Sequence, residues 1–126
     1  MNSDNKRKLE AALDHLFTGD VEAVAAYLHD DFTDHGPGIT ASGKAEWLAM
    51  VRRIPVADMK IEIHRMVAED DLVFTMSRRW IPWEGHWIAV ADFWRFEDGL
   101  LAEHGEVFQP LPAGDREVTA HSLVPW

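Results

Sequence analysis

The spacing of apolar residues changes near Asp58, from a helical period to strict alternation. Before that point apolar side chains recur every three or four positions. Leu9, Ala12, Leu13, Leu16 and Phe17 form one stripe, Asp4 stands where an N-cap belongs, and Thr18-Gly19 closes the run. These features predict a helix from Asp4 to about Phe17. Asp20 caps a second, short helix over Val21 to Leu28. A short strand is expected at Phe32 to His35, followed by a loop at Gly36-Pro37-Gly38. Ser42 is the expected N-cap of a third helix through Arg53, with Trp47, Leu48 and Val51 inward and Pro55 after its end.

Beyond Asp58 the segment MKIEIHRMVAE reads as a strand with Met59, Ile61 and Ile63 on one face. Asp70-Asp71 turns the chain into LVFTMSRRWIPW, a strand ending near Pro82, and Glu84-Gly85 turns it again. The last regular unit is AVADFWRFEDGLLAEHGEVFQP, Ala89 to Pro110, two strands joined at Asp98-Gly99. Asp-Gly between alternating segments is a strong hairpin signal, because a type I′ turn needs positive φ at both central residues. From Pro110 to Trp126 the pattern is irregular. Repeats, low-complexity tracts and linkers are lacking, so residues 1–126 read as a single domain. Helices followed by a meander of long strands make the fold class α+β.

Alternation places Asp92, Trp94 and Phe96 on one face of the first hairpin strand, and His104, Glu106 and Phe108 on one face of the second. Whether these faces coincide depends on the turn. A two-residue turn sets Asp92 opposite Gly105 and Phe93 opposite His104, which separates Asp92 from His104. A three-residue loop, Glu97-Asp98-Gly99 with a G1 bulge, sets Asp92 beside His104. The sequence allows both.

Composition narrows the partners. Lys and Arg number 12 against 22 Asp and Glu, for a formal net charge of −10. Nucleic acid and anionic membranes are therefore not expected partners. Cysteine is absent, which excludes disulfides, thiolate catalysis and Cys-ligated zinc. No apolar run approaches the roughly 20 residues of a membrane span, and the N-terminus lacks the apolar core of a signal peptide. A cytoplasmic location is the expectation. Seven His residues show no H-x-H, H-x₃-H or HExxH spacing, so no metal is expected. Six Trp and six Phe against one Tyr provide flat apolar side chains for a core or for the walls of a pocket.

Three segments, YLHDDFTDHGPGITASGKAEWLAM, AEDDLVFTMSRR and AVADFWRFEDGLLAEHGEVFQP, resemble the nuclear transport factor 2-like superfamily and, within it, the SnoaL-like polyketide cyclase branch. The third is the most specific: Asp92, Arg95, Asp98, Gly99, Glu103, His104 and Gln109 fall in register with the pattern DxFRxxDGKIxEHWDVxQ. The resemblance spans roughly Leu9 to Pro110. It implies a cone-shaped fold, a curved antiparallel sheet wrapped around N-terminal helices and enclosing one apolar pocket, and a homodimer. Such proteins include cofactor-free cyclases, isomerases, dehydratases, epoxide hydrolases and pure binding domains. This chain departs from the pattern at Met76, where a His is common, and at Gly105-Glu106, where Trp-Asp is common. The acid/base Asp of the cyclases would fall on Glu106.

The resemblance thus implies acid/base chemistry without a cofactor on a small hydrophobic carbonyl compound, by aldol cyclisation, isomerisation or dehydration. Asp92 and Glu106 are the expected acid/base groups. His104, and His35 at the cavity mouth, are the expected hydrogen-bond or proton partners. Trp80, Trp94, Phe74, Phe108, Met76 and Arg78 are expected to contact the substrate. The alternative is a non-catalytic ligand-binding or dimeric interaction domain of the same fold, which the Met76 departure favours.

Overall fold

The computed structural model describes residues 2–111. Helices α1 (Asn2–Phe17) and α2 (Val21–Ala25) lead into strands β1 (Leu28–His35) and β2 (Thr40–Ser42). Helix α3 (Lys44–Val51) and a 3₁₀ turn (Val56–Asp58) follow, and then come four long strands. These are β3 (Lys60–Glu69), β4 (Leu72–Ile81), β5 (His86–Glu97) and β6 (Leu100–Pro110). They form one six-stranded sheet in the order β2-β1-β6-β5-β4-β3. The expected α+β architecture of curved sheet and helices is present. No helix among the described residues is long and apolar enough to cross a membrane. The tail read as irregular lies outside the described residues from position 112 onward.

The first half differs from the expectation in detail. α2 stops at Ala25, and Leu28 already begins β1, which pairs with β6. That pairing is parallel, so the sheet is mixed. The N-cap of α3 is Gly43 and not Ser42; the Ser42 N–H, one residue before the cap, donates to the Glu46 carboxylate at 2.9 Å. A bulge at His64 in β3 exchanges the two faces of that strand. Beyond the bulge Met66 and Ala68 take over from Ile61 on the inner face and pack on the core.

The hairpin register combines features of both sequence alternatives. The turn has two residues, Asp98 at φ 53° and Gly99 at φ 78°. Glu97 pairs with Leu100 and Phe96 with Leu101, and then Arg95 pairs with Glu103. Ala102 is the extra residue, a bulge within β6. Beyond it Trp94 stands opposite His104 and Asp92 opposite Glu106. The bulge, not a longer loop, brings the ionisable residues onto one face.

That face turns toward the helices. Leu9 and Leu13 of α1, Val24 of α2 and Trp47 and Val51 of α3 pack against Val73, Trp94, Phe96 and Leu101 of the sheet. A cavity lies between the helices and the sheet, reaching Ile81 and Ile88 at the β4–β5 end.

Candidate active site

The cavity has a volume of about 330 Å³. Its walls are apolar: Leu9, Leu13, Leu16, Phe17, Ile39, Val51, Ile54, Met59, Ile81 and Ile88 among others. Its polar lining is concentrated in Asp34, Arg79, His104 and Glu106, with Trp94 beside them. Trp83 and Phe108, 52% and 43% exposed, stand at its open side.

Four strands supply the polar cluster. Asp34 comes from β1, Thr75 and Arg79 from β4, Asp92 from β5, and His104 and Glu106 from β6. His104 lies at the centre. Its Nδ1 is 3.0 Å from Asp34 Oδ1 and its Nε2 is 2.7 Å from Asp92 Oδ1. The Trp94 ring stacks on it at 4.0 Å between centroids. Each carboxylate is fixed in turn. Asp34 accepts the Trp47 Nε1–H at 3.0 Å and the Gly36 N–H at 3.0 Å. Asp92 Oδ2 accepts the Thr75 hydroxyl and an Arg79 Nη2–H, each at 3.0 Å, while Trp94 Nε1–H donates to Thr75 Oγ1. Arg79 reaches Glu106 as well, with Nη1 3.6 Å from Oε1.

These contacts set the charges. Burial works against a charged His104, but its hydrogen bonds to Asp34 and Asp92 outweigh it and push the pKa up to about 9. His104 is an imidazolium with both N–H groups in use. Burial would also raise Asp92; Arg79, His104 and the Thr75 hydroxyl together hold it below the usual carboxylate range. Glu106 goes the other way. Burial raises it, Arg79 pulls it back and the Asp92 charge raises it again, leaving it above its ordinary value. Glu106 thus holds a proton more readily than Asp92 does, beside the Arg79 and His104 charges.

Asp92, His104 and Glu106 offer ligand atoms within 4.8 Å of one another, a spacing that a metal ion could bridge. An imidazolium, however, has no free lone pair to give a cation, and Arg79 already holds positive charge there. The cluster fits proton chemistry better than metal binding.

Of the residues expected at the site, Asp92, Trp94, His104, Glu106 and Phe108 come together on the inner face. Among them Asp92 is sealed behind His104 and Arg79 and does not line the cavity. His35 stands elsewhere. It is on the outer face of β1, half exposed, with Nε2 2.6 Å from Glu103. The reason is alternation: Phe32 and Asp34 point inward on β1, so His35 points out. Phe74, Met76, Arg78 and Trp80 likewise do not line the cavity. They alternate with the inward Val73, Thr75, Ser77 and Arg79 on β4, and Arg78 lies over the Trp87 ring at 4.3 Å. On β4 the outer face carries the larger apolar side chains, so bulk does not mark the pocket side. Sequence reasoning missed Asp34, Trp47, Thr75 and Arg79 as members of the cluster. Asp34 was accessible through the same alternation that makes Phe32 core.

No curated protein matches the chain in sequence. Among solved structures it is similar to a candidate ketosteroid isomerase from Kribbella flavida, at 17% identity over 93% of this chain and 88% of that one, with a TM-score of 0.77. An LEH-like epoxide hydrolase from M. tuberculosis is 23% identical over 86% of this chain and 84% of that one, with a TM-score of 0.74. A nuclear transport factor 2-like protein of unknown function from Cytophaga hutchinsonii is 19% identical over 83% and 89%, with a TM-score of 0.73. The profile of the SnoaL-like domain matches residues 9–104, a span that runs from the core stripe of α1 to the central histidine of the cluster, and the chain belongs to that family.

Proposed function

We propose that this protein is a cofactor-free acid/base enzyme acting on a flat hydrophobic carbonyl compound, with Glu106 moving a proton at the carbon next to the carbonyl. One observation carries the reading: Glu106 is a cavity-lining carboxyl, raised in pKa, with two cations close by. Its Oε1 is 3.6 Å from Arg79 Nη1 and 3.7 Å from His104 Nε2. A base is most effective when its pKa approaches the working pH, and a raised carboxyl moves in that direction. The adjacent positive charges stabilise the enolate that forms when the proton leaves. Apolar walls suit a hydrophobic skeleton. Asp92 acts through its neighbours, holding His104 and Arg79 in place.

Aldol cyclisation, isomerisation and dehydration all begin with this proton transfer, so the transfer is the step to test. The protein is incubated with 2-tetralone in D₂O and deuterium at the α-carbon is followed by ¹H NMR. The expected result is incorporation faster than in buffer, reduced about 10²- to 10⁴-fold in Glu106→Gln. If tryptophan fluorescence reports tetralone binding but no exchange occurs above buffer, the chain is a ligand-binding domain of this fold and not an enzyme of this class.

A further inference from the structure

Gly38 is a glycine whose backbone does not require one. Its φ lies outside the positive region that Gly36, Gly43 and Gly99 occupy. The space around it supplies the reason for the missing side chain. A Cβ built at Gly38 would lie 3.2 Å from Glu106 Oε2 and 3.9 Å from Glu106 Cδ, and among the described residues it would meet nothing else within 4 Å beyond its chain neighbours. Glu106 turns Oε1 to its two cations, 3.6 Å from Arg79 Nη1 and 3.7 Å from His104 Nε2, and Oε2 to Gly38. Both residues line the cavity. The loop that carries Gly38 is tied to Glu106 and to the cluster. Glu106 N–H donates to Gly36 O at 3.0 Å, Gly36 N–H donates to Asp34 Oδ1 at 3.0 Å, and His35 pairs with Thr40 across the ends of the loop.

We propose that Gly38 is the positioning residue of Glu106: its bare Cα leaves the room this carboxyl needs to stand beside Arg79 and His104 with Oε2 as the oxygen that takes the proton. The inference rests on Glu106 being the base. Glu106 has one methylene more than the Asp common at this place in the family pattern, and Gly38 has one carbon less than alanine, so the two residues match each other in size. A contact of 3.2 Å is tighter than ordinary van der Waals packing, so one side must give way. The tied loop holds its place, and the end of the Glu106 side chain is the flexible partner. A methyl group at position 38 therefore displaces Oε2 and leaves the fold intact. Misplacing a reacting group by about 1 Å can cost on the order of 10²-fold in rate.

The test is a pair of substitutions made singly and together. Deuterium exchange into 2-tetralone gives the rate, and naphthalene affinity, followed by tryptophan fluorescence, reports an intact cavity. Gly38→Ala is expected to lower kcat for exchange by about 10- to 10²-fold, with KM and naphthalene affinity little changed. Glu106→Asp draws the carboxyl back by one methylene and is expected to be slow by itself. In that background Gly38→Ala is expected to cost nothing further, because the shorter side chain no longer reaches the added methyl. Exchange at the wild-type rate in Gly38→Ala overturns the proposal, and so does a cost that is the same with Asp at position 106 as with Glu. If Gly38→Ala fails to bind naphthalene, recovery of binding in the double variant supports the size match, and failure of both variants overturns it. Glu106→Gln separates these results from the base assignment. If it has lost exchange while Gly38→Ala has not, only the positioning role falls. If it still exchanges, the base assignment falls and the positioning role with it.

Discussion

His104 carries its charge because two carboxylates hold one ring, and this has consequences for stability as well as chemistry. Its pKa rises from 6.5 to about 9 on folding. A raised pKa means that the folded state binds the proton more tightly than the unfolded chain does. The stabilisation is therefore complete below pH ~6.5 and is lost as pH rises through ~9. At about 1.4 kcal/mol per unit of pKa, the difference is on the order of 3 kcal/mol. Urea denaturation at pH 6 and pH 10 should show the wild-type protein losing about that much more than His104→Gln; equal losses would show that the imidazolium is not what the fold prefers. Asp34 is the partner to remove next. In Asp34→Asn the ring keeps Asp92 but loses its second anion, so the His104 pKa should fall by more than about one unit. The His104 Cε1–H resonance, followed by NMR through the titration, reads this directly. An unchanged midpoint would assign the whole effect to Asp92.

The strands explain why some of this site was legible in the sequence and some was not. Alternation correctly grouped Asp92 with Trp94, and His104 with Glu106, because period 2 is local to each strand. Joining the two groups needed the bulge at Ala102, and nothing in the composition of LLAEHGE marks it. It lies beside a tertiary contact: Leu101 N–H donates to Tyr27 O at 2.8 Å, where β1 begins to pair along β6. Arg79 was missed for a related reason. Trp80 and Phe74 look more like core than Arg79 and Thr75 do, yet burial follows the sheet's curvature and not side-chain size. Gly105 shows the same pairing logic at close range. Phe93 stands directly opposite it, and a Cβ built at Gly105 would lie 2.2 Å from Phe93 Cε2. The aromatic ring lies on the glycine from the neighbouring strand, so the position has no room for the Trp common in the family pattern. Gly105→Ala should destabilise by about 1–3 kcal/mol through overpacking. Phe93→Ala in the same chain should recover part of that loss, a coupling that a double-mutant cycle measures. Additive effects would mean that the ring moves aside freely.

Helices cover only the inner face of the sheet, and the other side carries a large share of the apolar surface. Val67, Phe74 and Phe93 lie side by side across β3, β4 and β5; Met76, Ala91 and Val107 form the next row across β4, β5 and β6. Val67 is 59% exposed, Phe74 44% and Val107 63%. Contiguous apolar surface of this kind marks an interaction face, because water is a poor neighbour for it. A second copy of the chain is the expected occupant, in keeping with the homodimer implied by the sequence resemblance. The net charge of −10 opposes association at long range, so contact must come from a patch poor in carboxylates, and these two rows contain none. In sedimentation velocity at micromolar concentration the protein should run as a dimer. Phe74→Glu with Val107→Glu should convert it to a monomer by placing two unpaired carboxylates in the buried surface. Both side chains point away from the cavity, so the variant should still bind naphthalene. A wild-type chain that sediments as a monomer would leave this face to some other partner, and a double variant that stays dimeric would move the interface elsewhere on the molecule.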